Sequence, residues 1–112
     1  MASDAMELMQ GTLDVLVLRT LAWGPMHGYA VSRWIRDRTN GGIDIEDAPL
    51  YKALHRLEYD ACVTAEWGTS ENNRRARFYR LTARGRQRLR REDAAWRRYA
   101  TAVFLVLDAA TL

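Results

Sequence analysis

The chemistry on offer in this 112-residue chain comes from hydrogen-bond donors rather than nucleophiles. In DAPLYKALHRLE, residues 47 to 58, a helical wheel puts Leu50, Leu54 and Leu57 within about 60° of one another. Lys52, His55, Arg56 and the following Tyr59 then fall on the opposite side, with Tyr51 on the shoulder. A second group of donors, Asn72, Asn73, Arg74, Arg75 and Arg77, stands in GTSENNRRAR. Ammonium, guanidinium and amide groups can donate to phosphate oxygens and to acceptors on base edges, and a tyrosine hydroxyl can bond a phosphate. Both groups therefore suit a polyanion.

Covalent and metal chemistry find no comparable support. Ser3, Ser32 and Ser70 lack the glycine-flanked setting of a nucleophile, and no glycine-rich phosphate loop is present. His27 and His55, with Cys62 the only cysteine and no carboxylate pair at helical spacing, make no metal site. We expect no enzyme, no cofactor and no metal, with His27-Gly28 opening a helix. The lone cysteine also excludes an intrachain disulfide, as suits a reducing compartment.

Charge is unevenly spread. Residues 1 to 73 hold 6 Lys/Arg against 11 Asp/Glu, whereas residues 74 to 98 hold 11 against 2, a local balance of +9 that repels itself unless counterions or a polyanion lie nearby. The apolar run from Leu13 to Trp23 contains Asp14 and Arg19 and is shorter than the roughly 20 residues of a membrane span. MASDAMELMQ carries acidic residues where an export signal carries basic ones, so a cytoplasmic protein with no membrane contact is expected.

The elements that must position these donors follow from the punctuation. Leu13, Leu16, Val17 and Leu21 recur at helical steps from Gln10 to Ala22 and stop at Gly24-Pro25. A second helix spans His27 to Thr39 and closes on Asn40-Gly41-Gly42. A third runs to about Asp60, with Asp47 as its cap and Pro49 in its first turn. Val63, Ala65 and Trp67 alternate as a strand, Ala76 to Thr82 forms another, and GTSENNRR is the tip between them. A long helix then starts at Ala83 and carries Leu89, Trp96, Val103 and Ala110 at steps of seven, with Tyr99 and Val106 between.

This order predicts a mainly α fold with a small β-hairpin: a winged helix-turn-helix domain over residues 1–82 and a C-terminal dimerisation helix over residues 83–112. The stripe Leu89, Trp96, Tyr99, Val103, Val106 predicts a homodimer, although folding back over the first helix would also cover it.

LDVLVLRTLAWGPMHGYAVSRWI, LYKALHRLE and RRARFYRLTARGRQRL together resemble the PadR family of bacterial transcriptional regulators, in particular a short subgroup with a single C-terminal dimerisation helix. The resemblance implies a dimeric repressor on double-stranded DNA, with Tyr51 contacting the backbone. In some members of that family a planar aromatic effector binds near the dimer interface, and Trp96 is the candidate lining residue for one here. Three positions depart from the family pattern: Pro49 stands where a small hydroxyl residue is usual, Lys52 replaces a proline, and Asp60-Ala61-Cys62 replaces a charged-glycine-apolar turn. Taken together, the residues point to a DNA-binding regulator that reads a palindrome through the third helix and the wing. The alternatives are a winged-helix protein-interaction module, or an aromatic small-molecule binder at the dimer interface.

Overall fold

A computed structural model describes residues 11–111; Gln10, expected to start the first helix, and the acidic segment before it lie outside that range. Helix α1 (Thr12–Leu21) buries Val17, Leu18 and Leu21. Helix α2 (Gly28–Arg38) adds Val31 and Ile35, and helix α3 (Asp47–Tyr59) adds Leu50, Leu54 and Leu57. These side chains meet Val63, Tyr79 and Leu81 in one core. At about 1.5–3 kcal/mol for each large apolar side chain, this burial is the main term holding the three helices together.

Strands β2 (Val63–Thr69) and β3 (Arg75–Leu81) form an antiparallel hairpin in which Trp67 stands opposite Arg77 and Thr69 opposite Arg75. The two-residue strand β1 (Met26–His27), which the sequence reading missed, pairs with the far edge of β3 and gives the sheet order β1-β3-β2. Two residues cannot display alternation, so only the register with Tyr79 and Phe78 reveals the pairing. The third helix also begins differently from expectation. Asp47 is its first helical residue and Glu46 occupies the cap without a side-chain bond, but Pro49 remains in the first turn, where its missing N–H costs nothing.

Helix ends are chemically closed. Gly41, at φ 80°, lets its N–H reach the Arg36 carbonyl at 2.9 Å and terminates α2. The Thr82 hydroxyl caps α4 (Ala83–Leu107) by accepting from the Gly85 N–H at 3.0 Å and donates to the Ala61 carbonyl at 2.7 Å. The Thr82 N–H adds a bond to the Cys62 carbonyl at 3.0 Å, so α4 leaves the sheet directly over the turn after α3.

In that turn Ala61 is held at φ 61°, the left-handed region, with its methyl exposed. Glycine occupies this region without the Cβ penalty. Ala61→Gly is therefore expected to stabilise the fold by about 1 kcal/mol, seen as a rise of roughly 5 °C in the unfolding midpoint.

The first half of α4 packs on α1, with Leu89 against the core, and the second half projects beyond the winged domain. The helix ends at Leu107, so Ala110 lies past the helical stripe assigned to it. No helix among the described residues is long and apolar enough to cross a membrane.

Candidate nucleic-acid interface

The hairpin leans toward α3 and encloses with it an open cleft of about 580 Å³. Tyr51 and His55 line one wall, Trp67, Arg75 and Arg77 the other, and Asn72 and Arg74 the rim. Lys52 and Tyr59 continue the outer face of α3 beside His55, with Tyr59 90% exposed. The wheel argument thus places the leucines and the polar side chains of α3 as observed.

Tyr51 lays its ring against the backbone at the start of α2. A Cβ added to Gly28 would lie 2.8 Å from the tyrosine Cζ and hydroxyl oxygen, so glycine is what allows the ring to rest on the start of α2. His27 caps that same helix end, its Nδ1 accepting from the Ala30 N–H at 3.2 Å while its ring meets Phe78 edge-on. His27-Gly28 therefore opens α2, as the sequence leads one to expect.

The wing turn holds its own shape. The Ser70 N–H bonds the Arg74 carbonyl at 2.8 Å, and Asn73, at φ 58°, takes the left-handed conformation that asparagine tolerates. Asn72, Asn73 and Arg74 are consequently exposed. Arg75 stacks its guanidinium 4.6 Å from the centre of the Trp67 ring, which orients the fork while leaving its donors toward solvent.

Two arginines that the sequence assigns to DNA are ion-paired within the chain. Arg77 donates through Nη2 to Glu58 Oε2 at 2.9 Å, fastening the wing to α3. It also lies near Tyr79, whose phenol is pushed up by burial and pulled the other way by this guanidinium. Arg56 donates through Nη2 to Asp14 Oδ1 at 2.6 Å, and Asp14 is largely buried. Lys52, His55, Arg74 and Arg75 have no such partner among the described residues.

Sequence reading missed Gly28, Trp67 and Asp14 as parts of this face. Trp67 could have been found from the hairpin register, which sets it beside the wing arginines. Asp14 could not, because 42 residues separate it from Arg56.

On α4, Trp96 Nε1 donates to Thr12 Oγ1 at 3.2 Å and borders a groove between α1 and α4 shared with Val15, Glu92 and Tyr99. Tyr99, Val103 and Val106 are uncovered, as are Phe104, Leu105 and Leu107. The inward packing of Leu89 leaves the open part of the stripe to begin near Trp96.

Three helices, a wing and an open donor face beside the third helix define a winged helix-turn-helix regulator. Residues 17–91 match the transcriptional regulator PadR-like family, and the chain belongs to that family. A PadR family transcriptional regulator from Eggerthella lenta superposes with a TM-score of 0.76 at 33% identity, covering 90% of this chain and 86% of its own. A transcriptional regulator from Clostridium thermocellum gives 0.76 at 28% identity over 84% of this chain and 91% of its own. An uncharacterised protein of Lysinibacillus sphaericus is 30% identical over 80% of this chain and 83% of its own length.

Proposed function

We propose that this chain is a cytoplasmic repressor of transcription that binds a palindromic DNA site as a homodimer. In this reading residues 1–82 bind DNA, with α3 in the major groove and the wing on the flanking backbone, and residues 83–112 pair the protomers. The observation that carries it is the convergence of Lys52 and His55 on α3 with Arg74 and Arg75 on the wing along one open face. Tyr51, Asn72 and Asn73 add uncharged donors for phosphates. The exposed Tyr99, Val103 and Val106 support pairing, since nothing among the described residues covers them. Two recognition helices related by a twofold axis would meet half-sites about 34 Å apart.

The division of roles within α3 is testable by selecting DNA fragments in vitro. Lys52→Ala is expected to relax the preference at one base pair by about 1–3 kcal/mol. Arg56→Ala is expected to lower stability and leave the selected sequence unchanged, because its guanidinium is held by Asp14. Selection of no sequence by the unmodified chain would overturn the reading.

A second role, binding a planar aromatic effector, is supported by the Trp96 groove of about 550 Å³. Such a ligand should quench tryptophan emission and weaken DNA binding together. Quenching with no change in DNA affinity would instead favour a small-molecule binder without regulatory coupling.

A further inference from the structure

Beyond the bonds of Thr82 at its start, the C-terminal helix is fastened to the end of the recognition helix through a second side chain, Arg88. Arg88, in the second turn of α4, donates from Nη1 to Asp60 Oδ2 at 3.1 Å, from Nη2 to Asp14 Oδ2 at 3.2 Å and from Nε to Glu92 Oε1 at 2.8 Å. Asp60 is the residue that ends α3. Asp14, on α1, gives its other oxygen to Arg56 of α3. Both paths from Arg88 therefore arrive at the last turns of α3, one directly and one through Asp14 and Arg56.

The geometry of this junction is constrained. Arg88 is 22% exposed and Asp14 13%, so neither is the freely moving pair of an open surface. A guanidinium is planar and presents its donors at fixed angles, so three carboxylates on different segments define an orientation as well as a contact. A lysine ammonium has three donors but no fixed planar fork, so it would hold the carboxylates without setting their mutual orientation.

We propose that Arg88 is a positioning residue that transmits the setting of α4 to α3 and thereby fixes the spacing of half-sites the dimer accepts. The inference rests on the dimeric DNA-binding reading above. Its leverage comes from length: Leu107 is about 28 Å along the helix from Arg88, so a tilt of about 10° moves that end by roughly 5 Å. One base-pair step is about 3.4 Å, so such a tilt in each protomer would blur the register by more than a step.

The test measures the full chain and its Arg88→Gln and Arg88→Lys variants on single half-sites. The same proteins are then measured on paired half-sites whose spacing is changed by one or two base pairs from the selected one. The unmodified dimer should disfavour a one-base-pair change by about tenfold, and Arg88→Gln should reduce that penalty to about threefold or less, with Arg88→Lys between them. Dimer mass by analytical ultracentrifugation and single half-site affinity should match the unmodified chain. If Arg88→Gln keeps the original spacing profile, or loses half-site and paired-site affinity by the same factor, the proposal is overturned. Should that variant fail to fold, the Arg88→Lys profile decides in the same way. Absence of any spacing preference in the unmodified chain would instead defeat the dimeric reading, and this inference with it.

Discussion

Gly85→Ala is expected to lower the unfolding midpoint by about 15 °C, corresponding to a loss of about 3 kcal/mol. A Cβ on Gly85 would collide with the carbonyl oxygen of Cys62 and stand 3.0 Å from both its carbonyl carbon and a Leu81 methyl. Backbone cannot swing aside as a flexible side chain can. The only relief is to lift α4 from the turn after α3, and that would break the bonds Thr82 makes to Ala61 and Cys62. Thermal unfolding followed by far-ultraviolet circular dichroism reads the effect. A midpoint within a few degrees of the unmodified protein would show that α4 is not seated this closely.

Replacing Val103 and Val106 together by glutamate should convert the protein to a monomer and weaken its affinity for a two-half-site DNA by about 10²-fold or more. Val106 is 75% exposed and Val103 37%, both on the part of α4 that lies beyond the core, so the substitutions disturb little packing inside the protomer. Two negative charges on each copy would instead have to be buried against their counterparts, which the proposed interface cannot compensate. Single half-site affinity should change little, since α3 and the wing are untouched. Sedimentation and DNA titration on one sample separate the two effects. An unaltered dimer would move the interface elsewhere.

The elements of this fold were legible because each leaves a local trace. Helical steps of leucine and valine marked α1 to α3, Gly24-Pro25 and Asn40-Gly41 marked two of their ends, and alternation from Val63 to Trp67 marked the hairpin. The face of α3 was legible for the same reason, since Leu50, Leu54 and Leu57 define an inside wherever the helix packs. What escaped depends on contacts between distant segments. The charge count grouped Arg77 with the free arginines of the wing, and its pairing with Glu58 appears only when β3 is laid beside α3. The wheel sets Arg56 on the outer face of α3 but cannot show that Asp14 stands within reach from another helix. The heptad stripe was overextended for a related reason: its spacing continues through Leu89 and Ala110, whereas packing claims the first and the end of α4 precedes the second. The exchange of glycine for alanine at position 61 was visible, but its left-handed backbone was not.

The central claim is that α3 and the wing meet DNA through a small set of unpaired cations, and the salt dependence of affinity tests it most directly. Lys52 in the groove and Arg74 and Arg75 on the backbone, from both protomers, would bring about six cations onto the DNA and displace about as many counterions, giving a log–log slope near −5, as each contributes about 0.9. Removing four of those charges with the paired substitutions Arg74→Ala and Arg75→Ala should shallow the slope to about −2 while leaving the fold intact. A slope near zero for the unmodified protein, or one that the wing substitutions leave unchanged, would contradict the account.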